Sequence, residues 1–177
     1  TLRELEVARE PFTVQTEVTR AIGVGPLPLR VRFDRVDLLA GGARVVIDYK
    51  TGGRPVQPYG KARPPACQLL LYAVAGEADG VAVIEFRAPG ARPYGYGAPS
   101  ALLPGMKPAG RLPERLEWPA AVDHWRALLE RLAGEFAAGD FRVNPRDRRS
   151  GTGQYAAITR IHEAPEVTAG DGDGDDS

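Results

Sequence analysis

Three residues of this 177-residue chain have the types and spacing to act on one ligand: Asp34, Asp48 and Lys50. Strand side chains alternate between faces. In Val45-Val46-Ile47-Asp48-Tyr49-Lys50, therefore, Val46, Asp48 and Lys50 share one face, and Val45, Ile47 and Tyr49 share the other. A carboxylate and an ammonium two residues apart reach a common ligand and shift each other's pKa. The preceding strand changes phase: Leu29, Val31 and Phe33 are apolar at odd positions, Val36 and Leu38 at even ones. That change predicts a bulge near Asp34-Arg35. A two-residue Gly41-Gly42 turn pairs Leu38 with Val45 and Val36 with Ile47. One extra residue at Arg35 then sets Phe33 against Tyr49 and turns Asp34 to the face of Asp48 and Lys50. Two carboxylates with main-chain oxygens suit a hard divalent cation that keeps several waters and takes phosphate as a further ligand. A neighbouring lysine can orient or deprotonate the attacking water and offset charge on phosphoryl oxygens. These parts predict metal-assisted hydrolysis of a phosphodiester. The competing reading of an Asp-x-Lys pair is a surface salt bridge worth roughly 0–1 kcal/mol.

The elements that must position this trio follow from periodicity. Phe12 to Thr19, Leu29 to Leu39 and Ala43 to Lys50 read as strands, the last two joined through Gly41-Gly42. Gln57 to Pro65 is a loop punctuated by Pro and Gly, and Ala66 to Ala75 a short helix. Val81 to Arg87 is a continuous apolar run that predicts a buried strand. Residues 88–113 are heavy in Pro and Gly and read as an ordered loop or flexible insertion. Ala120 to Ala138 is the clearest helix, with an apolar stripe of Val122, Trp125, Leu129, Leu132 and Phe136 and a stop at Gly139. The order predicts an α/β (α+β) fold, a central mixed sheet flanked by helices. One domain should span residues 1–163, followed by a disordered acidic tail over residues 164–177.

Composition narrows the function classes. With 43% hydrophobic and 26% charged residues the chain can bury one core. No run approaches the roughly 20 apolar residues that span a bilayer, so no membrane partner is expected. A single cysteine, Cys67, excludes an internal disulfide framework and a cysteine-rich zinc site, and fits a reducing compartment. The chain opens on Thr1 rather than Met, which predicts a fragment, the C-terminal piece of a longer polypeptide. The formal net charge of zero is misleading. All 23 Lys and Arg precede Ala164, whereas Glu166, Asp171, Asp173, Asp175 and Asp176 follow it, leaving eighteen acids and an excess of five positive charges in the body. Such a body suits a polyanion without demanding one. Arg63, Arg142, Arg146, Arg148 and Arg149, with Arg160, are candidate phosphate contacts or a solvated surface. His124 and His162 are isolated, and Gly23-Val24-Gly25 lacks the Lys-Ser/Thr ending of a phosphate loop.

Arg32-Phe-Asp-Arg-Val-Asp37, then Val46-Ile-Asp-Tyr-Lys-Thr-Gly52, then Gln68-Leu-Leu-Leu-Tyr72 resemble the RecB-like branch of the PD-(D/E)XK nuclease superfamily. The resemblance covers about Glu10 to Arg87 and, more weakly, reaches Ile161. It implies that Asp34, Asp48 and the Tyr49 backbone carbonyl hold Mg2+ or Mn2+, and that Lys50 is the catalytic lysine. Gln68 and Tyr72, four apart on one helix face, would position the site and the DNA strand. Asp37 would be structural, pairing with Arg35 or a neighbouring arginine. The implied setting is DNA repair or recombination in the bacterial cytoplasm, at the nucleoid. The implied partners are DNA, single-stranded ends in particular, and a helicase-like domain or subunit. Two departures stand out. Family members carry a preceding helix that gives the metal a histidine or glutamate, for which only Glu6 and Glu10 are near. Some also close on an iron–sulfur cluster. Here Ser150, Gly153 and Thr159 stand where thiolates would be, so no iron–sulfur cluster is expected. The alternatives are a non-catalytic module of the same fold that binds DNA or a helicase partner, and a phosphodiesterase directed at RNA.

Overall fold

Two long antiparallel strands open the fold, β1 (Phe12–Val24) and β2 (Leu27–Leu39), followed by β3 (Arg44–Thr51). The computed structural model describes residues 6–7, 11–51, 57–87 and 90–140. After β3 come α1 (Gln68–Gly76), β4 (Gly80–Arg87), β5 (Gly90–Gly97), β6 (Met106–Pro108) and α2 (Trp118–Ala137). All six strands form one sheet in sequence order. The β3–β4 and β5–β6 pairs are parallel and the other three antiparallel. The fold is therefore α+β around a mixed sheet, as its periodicity predicts. The compact unit ends at Ala138; of the second unit, Gly139–Ser177, only Gly139 and Asp140 are described. The acidic tail and the arginines from Arg142 onward lie outside the described residues.

Segment 88–113 differs from its reading as a loop or insertion. It holds β5 and β6, and β5 pairs with β4 along its whole length. Pro and Gly hid the pattern. Pro93 sits in the strand, and Gly95 lies so close to β4 that an added Cβ would meet the Val81 carbonyl oxygen. A glycine strand there is a packing requirement, not a turn signal.

The β2–β3 hairpin also differs in detail. Leu38 pairs with Arg44, Asp37 with Val45, Val36 with Val46 and Arg35 with Ile47, one residue from the expected register. Leu39 N–H donates to the Ala43 carbonyl at 2.9 Å, and Gly42 takes φ +85°, so three residues rather than two make the turn. A left-handed glycine closing a three-residue loop is a common hairpin solution.

The sheet buries unequal faces. On one, Val31, Phe33, Val36, Val46, Val81 and Val83 pack with α1 and with Trp118, Trp125 and Leu129 of α2. On the other, Val45, Ile47, Ala82 and Ile84 pack under Ala101 and Leu103. Phe33 and Val36 belong to the same face although three apart, so β2 does switch sides between them. The β1–β2 pairing skips Glu17 and Asp34 and resumes unshifted, and Glu17 takes φ +54°. Both strands thus turn over together at one pair, with no extra residue at Arg35. Within α2, Val122, Trp125, Leu129 and Leu132 face the core as predicted, but Phe136 is 57% exposed.

Candidate active site

The switch in β2 decides where Asp34 goes. Beyond the Arg35–Ile47 pair the two backbones cease to ladder, and the Tyr49 N–H is taken by Asp34 Oδ2 at 3.1 Å instead of by a carbonyl. Asp34 thereby reaches in the plane of the sheet toward β3, next to the strand position that carries Asp48. Asp48 projects from the α1 face and is 1% exposed. Burial raises its pKa, the ammonium of Lys50 lowers it and the charge of Asp34 raises it further. The two carboxylates feel each other, which is what a shared cation would relieve.

Lys50, two residues on, leans back over Asp48. Its Nζ lies 2.9 Å from Asp48 Oδ2 and donates to Oδ1 at 3.2 Å. Its third contact crosses to the helix, where it donates to Gln68 Oε1 at 2.9 Å. Gln68 Nε2 donates to the Tyr72 hydroxyl at 2.9 Å, and that hydroxyl donates to the Arg32 carbonyl at 2.9 Å. The Tyr72 ring packs edge-on against Phe33, centroids 5.2 Å apart. Asp48, Lys50, Gln68 and Tyr72 thus form one hydrogen-bonded chain that starts on β3, crosses α1 and ends on β2. The i, i+4 spacing on a helix puts Gln68 and Tyr72 on one face. Burial foremost raises the Tyr72 pKa, so the hydroxyl stays protonated as a donor.

Asp48 Oδ2 is buried and accepts no directed hydrogen bond, despite the nearby ammonium. A buried carboxylate oxygen held only by an ion pair, beside a second carboxylate, is an apt ligand for a hard cation. No cluster of three or more His, Cys, Asp or Glu able to hold an ion occurs among the described residues. Two carboxylates would therefore need main-chain oxygen, water or phosphate to complete the shell. Two carboxylates suffice for Mg2+, which keeps several waters.

A family model described as the PD-(D/E)XK nuclease superfamily matches residues 1–155. The chain belongs to the PD-(D/E)XK nuclease superfamily. It is accordingly a nuclease-type domain, of a superfamily that in general uses divalent metals and binds DNA. Among solved structures it is similar to the one titled "Crystal structure of SSO0001", at 20% identity and a TM-score of 0.34. That likeness covers 69% of this chain and 48% of the other, so this chain spans about half of it. Comparison with curated proteins gives no match.

Other residues singled out in this PD-(D/E)XK chain fall elsewhere. Glu6, a candidate metal ligand, accepts from Arg35 Nη1 at 2.6 Å on the far face of the sheet. Arg35 also holds Asp37 through Nε at 2.5 Å and Nη2 at 3.0 Å, and donates to the Tyr49 hydroxyl at 3.2 Å. Burial works against the guanidinium's charge, but Asp37, Glu6 and Tyr49 outweigh it and raise its pKa. Asp37 pairs with Arg35, as expected. Glu10 lies outside the described residues. Arg63, a candidate phosphate contact, pairs with Glu135 of α2. His124 is exposed, and Cys67, half-buried beside Gln68, has a thiol pKa raised by burial. No helix among the described residues is long and apolar enough to cross a membrane.

One residue near the site escaped the sequence reading. Glu85 stands beside Lys50 in the parallel β3–β4 register and is buried. The signal was a lone acid in the apolar run Val81-Ala-Val-Ile-Glu-Phe86.

Proposed function

We propose that this domain is a RecB-like, Mg2+- or Mn2+-dependent deoxyribonuclease acting in DNA repair or recombination. Its substrates would be DNA strands, single-stranded ends among them, and its setting a longer protein or complex with a helicase-like portion. The observation that carries the reading is the Asp48–Lys50–Gln68–Tyr72 chain, with Asp48 Oδ2 buried and without a directed donor. Asp34, Asp48 and the Tyr49 carbonyl would hold the ion, which when bound supplies charge neutralisation at the phosphate and a more acidic water. Lys50, 40% exposed, is open to a substrate phosphate while Asp48 beneath it is not. Its ammonium would orient the attacking water and oppose charge that builds on the phosphoryl oxygens. Gln68 fixes where that ammonium sits, and Tyr72 fixes Gln68.

A cleavage assay on labelled single- and double-stranded DNA, with Mg2+, Mn2+ or a chelator, tests this. Lys50→Ala should lower kcat by about 10²–10⁴-fold, the usual range for a positioned acid–base group. Cleavage that survives the chelator, or that ignores Lys50→Ala, removes the mechanism. A second reading has its own support: Glu6 is engaged by Arg35 and no third acidic ligand joins Asp34 and Asp48 among the described residues. On that reading the domain binds DNA or a helicase-like partner without cutting. Metal-independent DNA binding with no cleavage would favour it.

A further inference from the structure

The face that carries Asp48 and Lys50 continues beyond them. Lys50 is in register with Glu85 on β4, and Glu85 with Arg92 on β5. Paired residues on neighbouring strands point to the same side, so Lys50, Glu85 and Arg92 form one row on the α1 face. Tyr94 and Tyr96 follow Arg92 on that face, and Lys107 on β6 is paired with Tyr96. Beside this row lies a half-open cavity of about 530 Å³, lined by Gln57, Glu85, Arg92, Tyr94, Tyr96 and Lys107 among others. Arg92 and Lys107 are exposed, the two tyrosines partly so. Lys50 and Arg92 stand two strand spacings apart, about 10 Å between backbones, a gap that two long side chains narrow to the scale of one nucleotide.

The geometry points to a nucleotide subsite in this cavity: Arg92 holds the phosphate next to the one at Lys50, and Lys107, four β5 residues and one strand further on, meets the same nucleic-acid strand beyond it as it runs from β3 across the sheet toward β6. The inference rests on the nuclease reading for the direction of the strand, but not for the binding itself. Size fits, since 530 Å³ is within the range of small-ligand sites, at about 300–1,000 Å³. Charge fits as well. Glu85 is flanked in register by Lys50 and Arg92, so its carboxylate separates two cationic positions rather than facing an anion alone. The tyrosines give the cavity a wall against which a sugar or base can rest.

The test is binding of a fluorescent 12-mer of deoxythymidylate, measured in chelator across a salt series, with cleavage measured separately in Mn2+. Arg92→Ala with Lys107→Ala should weaken binding about tenfold or more. It should also flatten the slope of log affinity against log salt by about 0.7 per lost phosphate contact. Arg126→Ala, an exposed cation on α2, is the control and should change neither. Binding that fails in the wild type, survives the double substitution, or falls equally with Arg126→Ala overturns the subsite. If binding depends on Arg92 and Lys107 but no metal supports cleavage, the subsite stands and the nuclease reading falls. If the wild type cleaves and the double variant binds and cleaves as well, the reverse holds.

Discussion

Gln68 Oε1 accepts the Lys50 ammonium at 2.9 Å, tying helix to strand between residues 18 apart in sequence. The same amide turns its nitrogen to Tyr72. An amide suits this post because it accepts from a cation on one side and donates to a hydroxyl on the other. Gln68→Ala should therefore lower kcat about 10- to 100-fold by loosening Lys50, while leaving thermal stability nearly unchanged because the bond is exposed. Gln68→Glu, which keeps the acceptor but loses the donor, should retain more activity than Gln68→Ala. Equal losses in kcat and Tm for both would make the residue merely structural.

Much of this was legible because the relevant patterns are short. Asp48 and Lys50 two apart on a strand, and Gln68 and Tyr72 four apart on a helix, are fixed by local periods. The strand-to-helix bond between Lys50 and Gln68 is a long-range contact that neither local period reports. The β2 switch was visible as a phase change between Phe33 and Val36. Its mechanism was not, because it depends on β1: Glu17 turns over with Asp34, and nothing in the β2 sequence reports the partner strand. The register slip at Ala40–Gly42 has a local origin, since two adjacent glycines permit either turn length. β5 escaped because Gly95 and Pro93 answer to the closeness of β4 and not to local propensity.

Asp48 is destabilising where it sits. Burial, above all, raises its pKa, so between the ordinary carboxylate value and the raised one the folded protein binds more protons than the unfolded chain. Stability contributed here therefore falls as pH rises through that window and returns as pH drops. Asp48→Asn should raise Tm by a few degrees in chelator at neutral pH and abolish cleavage. A lower Tm for that variant in chelator would contradict the buried-charge account.

The same proton would compete with a cation bound at Asp48. Divalent ions that bind only the folded protein raise Tm, by about 2.7 kcal/mol of stability at a hundredfold excess over Kd. For the wild type the Mn2+-dependent rise should fade as pH falls through the raised Asp48 pKa. That is a higher pH than an ordinary carboxylate near 4 would give. Asp48→Asn should show no such rise at any pH. A Mn2+ effect that persists unchanged to pH 4, or survives in Asp48→Asn, would place the ion elsewhere.

Tyr72 serves two purposes that substitution can separate. Its ring packs on Phe33 and its hydroxyl links Gln68 to the Arg32 carbonyl. Tyr72→Phe keeps the ring and should lose about 1 kcal/mol of stability, with the Arg32 carbonyl left short of a donor. Tyr72→Ala should lose about 3–5 kcal/mol through the cavity it opens. If the hydroxyl positions Lys50 through Gln68, Tyr72→Phe should lower kcat several-fold with KM unchanged. A loss confined to Tm would leave only the core role.

Across the sheet, Arg35 and Asp37 form a buried bidentate pair, 6% and 0% exposed at their side chains, with Glu6 and the Tyr49 hydroxyl also on the guanidinium. Such a pair adds little net stability when intact, but breaking it strands a charge. Asp37→Ala should lower stability by about 3–5 kcal/mol, moderated by whatever share Glu6 takes up. Because Tyr49 faces this cluster with its ring and meets Asp34 with its backbone N–H, the pair also sets the strand against which Asp34 is held. A folded Asp37→Ala protein, measured well below its Tm, should nonetheless keep the Mn2+-dependent rise, since Asp34 bonds the backbone of Tyr49 and not its side chain. If that rise disappears while circular dichroism stays native, the two faces are coupled through Tyr49, and Arg35 must be counted among the residues that position the metal ligands.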